Sequence, residues 1–438
     1  GITSLAISDA DYVTLTLAQI NALADAGIGF ENQDLLRFSD TADTISGLDA
    51  DDIADLESLG IETVHVADAT TVDLNLSAAI ALANAGIAFP DTDTWQVAST
   101  ADAQVNTTTT GVQWNSSVTG LAGGGHVVTW ESYDQSGFGC YLQMFGNDGK
   151  PVGSETRINV VQTANQQQAV VTALADGGFV VAWSSTAAQD GAEDGVFMQV
   201  YDAGGTAVVS ETQVNTYTAQ SQSMPAITSL SDGGFVVVWQ SAGQDGEISG
   251  IYLQKFDNSG SAVGQETPVN IYVASEQSEP RVAPLADGRY AVTWVSYGQD
   301  GSSYGIVMTV FNADGTPAST ETIVNSSTID AQVGCDIAAL EDGGFVITWS
   351  SPWVDNDGSA VLMQRYDQNG VAVGDETIVN STTTGNQNKA TVTGLVDGGF
   401  VVTWVGQDGD DSGVFMQVYD IDGAALGEET LVNAVTTG

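Results

Sequence analysis

Basic residues are scarce in this chain: 8 Lys plus Arg stand against 56 Asp plus Glu in 438 residues, for a formal net charge of -48. A field of that sign repels phosphate backbones and anionic headgroups, so neither nucleic acid nor membrane insertion is expected. No run of 18 apolar residues occurs, so no helix is expected to span a bilayer. The only histidines are His65 and His126, and the only cysteines are Cys140 and Cys335. No HExxH or CxxC occurs, which removes the common zinc and redox signatures. The cysteines fall at different points of different repeats, so both are expected to be free, small core residues.

What is abundant is repetition. GGGHVVTW, DGGFVVAW, DGGFVVVW, DGRYAVTW, DGGFVITW and DGGFVVTW close on Trp130, Trp183, Trp239, Trp294, Trp349 and Trp404, which are 53, 56, 55, 55 and 55 residues apart. A fixed period of that length signals an array. Each period divides at its turn signals into four short strands, as in PAITSL, FVVVWQS, IYLQKFD and ETPVN of the third copy. Asp-Gly-Gly before each FVV run suits a tight primed hairpin turn, because glycine supplies positive φ. In Phe235 to Trp239 both alternating faces are apolar, so both are expected to be buried. Stacked sheets bury both faces, and closing the stack into a ring removes its apolar ends. The expected fold is mainly β: a six-bladed propeller of four-stranded antiparallel blades over residues 103–438. His126 takes the phenylalanine position of its blade and reads as a core substitution. A Val-Asn motif, Ile-Asn in its second copy, occurs seven times, at Asn106, Asn159, Asn215, Asn270, Asn325, Asn380 and Asn433. The surplus copy either closes the last blade or pairs outside the ring.

Residues 1–102 follow another period. VTLTLAQINALADAGIGF matches VDLNLSAAIALANAGIAF at an offset of 59, with a looser copy between them. Units of about 30 residues, each a strand, a short helix and a glycine exit at Gly27, Gly60 or Gly86, predict a small β-α repeat domain of solenoid type. The closing VNAVTTG repeats a linker that elsewhere opens a repeat, so the chain reads as part of something longer.

The recurring polar constellation is the loop between the second and third strands. Its Asp190, Asp194, Asp245, Asp300, Asp355, Asp357, Asp408 and Asp410 are hard oxygen ligands interspersed with glycine, a pattern that suits calcium, although no loop carries the full DxDxDG-x5-E. Calcium would also offset the charge. The alternative is that these are solvated turns. Loop aromatics such as Trp114, Tyr133, Tyr297, Tyr304 and Trp353 could act as sugar platforms.

VN-T-x-T, LADGGFVVTW, GQDG-x-x-x-GV-x-x-Q-x-Y-D and DG-x-x-x-G-x-E-x-x-VN together resemble the repeats of large secreted bacterial proteins of the RTX-like or adhesin-like kind, over about residues 104 to 433. That resemblance implies export to the cell surface and self-association or binding to other surface proteins. The expectation is a non-enzymatic extracellular structural or adhesive protein, with no catalytic residue assigned. Glycan binding by the propeller is the alternative, and a propeller glycoside hydrolase with paired carboxylates is a third reading.

Overall fold

The computed structural model describes residues 104–433 apart from 135–136, 148, 187–188, 356, 396–397 and 408–411. Before residue 104 it describes 4–5, 13–26, 29–30, 36–48, 50–59, 61, 63–67, 71–74, 82, 87 and 94–97. The chain forms two compact units, residues 103–414 and residues 1–102 together with 415–438.

Six four-stranded antiparallel sheets follow in chain order, and within each the spatial order of strands is the chain order. This is the six-bladed propeller predicted from the period. The first strands, Gln113–Gly120, Gln166–Ala173, Gln222–Ser229, Gln277–Pro284, Val333–Ala339 and Asn388–Gly394, pack each against the next and line the axis. The fourth strands form the exposed rim. In the third blade Phe235, Val237 and Trp239 pack on Val180, Ala182 and Met198 of the second. The other face of the same strand, Val236 and Val238, packs with Tyr290, Val292 and Trp294 of the fourth. Both faces are therefore buried, as the doubly apolar strand requires. A ring stack across the second and third strands recurs as Phe179–Tyr201, Phe235–Phe256, Tyr290–Phe311 and Phe345–Tyr366, and His126 stacks on Phe145 at 4.8 Å in the same place. His126 is thus a substitute for phenylalanine.

The Asp-Gly-Gly hairpin differs from the primed turn expected. Ser231 and Asp232 keep negative φ, the Gly233 N–H donates to Leu230 O at 3.0 Å, and Gly233 takes φ +89°. The turn is type I closed by a left-handed glycine, and Asp232 Oδ1 accepts from the Gly234 N–H at 3.1 Å.

The Val-Asn motif joins blades. Asn325 Oδ1 accepts from the buried Ile306 N–H at 2.7 Å in the blade before it, while Nδ2 donates to Gln332 Oε1 at 3.2 Å in the blade after. Asn215, Asn270 and Asn380 do the same with Val196 and Gln222, Ile251 and Gln277, and Val361 and Gln387. The first copy is not a closing strand: the last blade has four strands of its own, and Asn106 Nδ2 donates to Thr108 O and Gln113 Oε1 at the entrance of blade 1. In blades 1 to 5 a glutamate in or beside the fourth strand holds the entering linker, for instance Glu266 Oε2 accepting from Thr216 N and Oγ1 at 2.6 and 2.8 Å.

In the first unit, strands Val13–Leu15, Leu36–Asp40 and Val64–Val66 form a parallel sheet with helices Leu17–Asp25, Ala42–Ser46 and Ala50–Ser58. Ile20, Phe38, Ile45, Ile53, Leu56 and Val64 make its core. The expected capping glycines Gly27, Gly60 and Gly86 lie outside the described residues.

Candidate functional site

A four-stranded meander brings the linkers, the loops between second and third strands, and the starts of the first strands to one end of the ring. At that end every first strand is broken by a bulge. Pairing with the second strand skips at Trp114/Ser117, Gln167/Val170, Ser223/Ala226, Ser278/Arg281, Val333/Asp336 and Asn388/Thr391. The bulged residue is left-handed in all six blades: Asn115 (φ 47°), Gln168 (59°), Met224 (55°), Glu279 (53°), Gly334 (64°) and Lys389 (54°). For a residue other than glycine this conformation costs roughly 1–3 kcal/mol and persists only where the surroundings enforce it. Such bulges re-aim side chains, and here they line a cavity of about 780 Å³ around the axis.

Many repeat positions carry the same or similar residues in all six copies, the recurring tryptophan and the linker asparagine among them. The bulge carries six different ones, Asn, Gln, Met, Glu, Gly and Lys, and the lining position two residues on carries Ser117, Val170, Ala226, Arg281, Asp336 and Thr391. Packing asks for sameness under this symmetry, so the variable columns belong to something that is not packing. The cavity is consequently lopsided. Blades 2 and 3 contribute Val170, Met224 and Ala226, and blades 4, 5, 6 and 1 contribute Glu279, Arg281, Asp336, Lys389 and Asn115.

Several polar groups here build the wall. Glu131 is fully buried and accepts from Trp114 Nε1 at 2.6 Å, Asn115 Nδ2 at 2.8 Å and the Gln168 N–H at 2.5 Å. Gln168 Oε1 in turn accepts from Ser184 Oγ at 2.9 Å and the Met224 N–H at 2.8 Å. Side chains of one blade thus satisfy the bulged N–H of the next. Asp336 lies 3.8 Å from Arg281 Nε, is 21% exposed, and its Oδ2 accepts from the Val392 N–H at 2.9 Å. Burial pushes its carboxyl above the ordinary carboxylate range, against the pull of Arg281 and of the Val392 and Ile337 N–H groups. Neighbouring Cys335 is buried, and its thiol is pushed up to about 12, so it is no nucleophile at neutral pH. Cys140 is likewise free and buried.

The acids singled out from the sequence lie elsewhere. Oδ1 of Asp190, Asp245, Asp300 and Asp355 accepts the N–H two residues on, at 3.2, 3.1, 3.0 and 3.3 Å, closing the loop of its own blade. Oδ2 of Asp190, Asp300 and Asp355 accepts from the Asn215, Asn325 and Asn380 staples at 3.4, 3.0 and 3.2 Å. Asp194 opens the third strand of blade 2, and burial raises its carboxyl. Asp357 accepts from the Gly385 N–H at 3.3 Å. Asp408 and Asp410 lie outside the described residues. The structure distributes these acids blade by blade, and among the described residues no three His, Cys, Asp or Glu side chains are grouped to hold a metal ion. Of the aromatics, Trp114 is 48% exposed, stacks on Phe138 at 5.1 Å and directly precedes the bulge of blade 1; Tyr297 meets Tyr304 edge-on, and Trp353 stands exposed.

Glu279, Arg281, Asp336 and Lys389 were not among the predicted site residues. The signal that marks them is the column comparison: aligned by their tryptophans, the six repeats disagree most where the bulge falls.

No protein-family profile and no curated protein matches the chain. Among solved structures it is similar to a protein of unknown function from Dyadobacter fermentans, at 11% identity over 69% of this chain and 93% of that one, with a TM-score of 0.50. It is also similar to the α-L-arabinanase of Penicillium chrysogenum complexed with arabinobiose, at 14% identity over 70% and 93% of the two chains, with a TM-score of 0.50. At these identities the likeness is one of fold. It nevertheless overturns the expectation of a non-enzymatic structural or adhesive protein, because the propeller, taken above as scaffolding, is shared with an arabinanase. The physical reason lies in the same ring: a scaffold of like blades has no use for six unlike residues, five of them held in a strained left-handed conformation, around one cavity.

Proposed function

We propose that this protein is a glycoside hydrolase acting at the bulged end of the propeller channel. The observation that carries the reading is the placement of two carboxylates, Glu279 and Asp336, on the first strands of adjacent blades, lining one cavity with Arg281 between them in sequence and beside Asp336 in space. Glycoside cleavage asks for two carboxyl groups in different states. Asp336, lifted by burial, is the general acid that protonates the glycosidic oxygen as the bond to the anomeric carbon breaks. Glu279 is the second carboxylate, attacking that carbon or deprotonating the water that does. The cavity volume fits a few sugar rings, and half-exposed Trp114 directly precedes the lining residue Asn115. The arabinobiose complex of the similar arabinanase makes arabinan the first substrate to try.

Few lysines, a large acidic excess and a polymeric substrate support a secreted enzyme, in keeping with the resemblance to exported repeat proteins. Calcium in the loops between second and third strands remains part of this proposal. The reading is tested by assaying release of reducing ends from arabinan and a panel of plant and bacterial polysaccharides. Activity abolished in both Asp336→Asn and Glu279→Gln is the expected result. Activity retained in either variant, or no hydrolysis of any glycan, overturns the assignment.

A further inference from the structure

We propose that the cavity is built for an anionic sugar, one bearing a carboxylate or sulfate, and that Lys389 holds that group. The inference rests on the hydrolase reading only for the location of the site.

The chain has eight basic residues, and most are spoken for. Lys255 pairs with Asp232 at 2.6 Å, Arg289 with Asp287 at 2.6 Å and Arg365 with Asp342 at 3.2 Å, all on hairpins at the opposite end of the blades. Arg281 faces Asp336. Arg37, Lys150 and Arg157 also have partners. Among the described residues, Lys389 is the one basic side chain with no ion pair or hydrogen bond. In a chain with 56 carboxylates that is unusual, since a flexible ammonium normally finds one of them.

Its position explains the isolation. Lys389 is exposed, yet it lines the central cavity from a left-handed bulge at φ 54°. The neighbouring blade carries Gly334 at the equivalent bulge, where a Cβ would meet nothing within 4 Å, so no side chain fills the notch at that position between the bulges of Lys389 and Glu279. An ammonium facing an open notch, one blade beyond Asp336, is placed to receive a negative group on a sugar whose glycosidic oxygen lies at Asp336.

The net charge of -48 argues against anion binding only at long range. At physiological ionic strength the Debye length is about 8 Å, so the field inside the cavity is set by its own wall, which carries Arg281 and Lys389 beside Glu279 and a carboxyl biased toward neutrality.

The test measures binding by calorimetry on the Asp336→Asn protein, which retains ligands without turning them over. The probes are oligogalacturonate, a sulfated galactan oligomer and an arabinan oligomer of equal length. Tenfold or tighter binding of at least one anionic oligomer over arabinan is expected. Adding Lys389→Gln should erase the preference without moving Tm, and salt should weaken anionic binding alone. Whichever anionic oligomer binds identifies the group. Equal affinity for arabinan, a preference surviving in Lys389→Gln, or no binding at all overturns the inference. Hydrolysis of arabinan by wild type together with absence of anionic binding would sink this proposal and leave the hydrolase intact. Anionic oligomers bound tightly but never cleaved by wild type would do the reverse.

Discussion

Burial holds the Asp336 carboxyl toward its protonated form, and that has consequences for both stability and catalysis. Since the folded-state pKa lies above the unfolded one, the native protein binds the extra proton between the two values. Stability from this group is therefore present in acid and is lost as pH rises through the folded pKa. Asp336→Asn cannot ionise and its Oδ1 can still accept from Val392. Its Tm, followed by scanning calorimetry across pH, should match wild type in acid and equal or exceed it at neutral pH. Hydrolysis by the same variant should fall by about 10²–10⁴-fold. In wild type, activity should decline as pH climbs past the Asp336 pKa. A variant that loses Tm at neutral pH in step with activity would make Asp336 a structural residue.

Linkers and first strands are the elements that turn six hairpin pairs into one ring. Asn325→Ala orphans the buried Ile306 N–H and removes the donor to Gln332 and Asp300. Each group left unpaired costs roughly 1–3 kcal/mol, so a clear drop in the urea midpoint is expected. Asn106→Ala is the internal control, because its described bonds are to Thr108 and Gln113, at the entrance of its own blade. It should cost visibly less; equal losses would refute the bridging role. The same elements show what could be read in advance. The blade was legible because FVVVW is apolar on both faces and recurs every 53 to 56 residues, two facts that only stacked sheets satisfy together. The site was not legible from acid content, since Asp190, Asp245, Asp300 and Asp355 are the acids that recur, and they recur because each loop needs the same turn. Glu279 and Asp336 occur once each in their columns. A bulge leaves no composition signature when its left-handed residue is Gln, Met, Glu or Lys instead of glycine, so the turn that aims them was hidden as well.

For the whole molecule, the charge imbalance dominates. Three hairpin ion pairs between Lys255 and Asp232, Arg289 and Asp287, and Arg365 and Asp342 neutralise only a small part of 56 acids. Repulsion among the remainder opposes the compact state, and its range is set by salt: the Debye length is about 30 Å at 0.01 M and about 10 Å at 0.1 M. Raising sodium chloride across that interval should raise Tm and then level off as exposed carboxylates on different blades cease to sense one another. Calcium separates screening from binding. At matched ionic strength a loop-bound ion adds stabilisation that grows with the logarithm of calcium concentration and is reversed by EGTA. Screening alone gives no such term. Because Asp190, Asp300 and Asp355 already accept from both a loop N–H and an asparagine staple, an ion entering there must share those oxygens. A calcium-specific rise in Tm would therefore be accompanied by faster amide exchange at the loop N–H groups of Ala192, Ser302 and Asp357, whereas a Tm that follows ionic strength alone, with those amides unchanged, removes calcium from the protein.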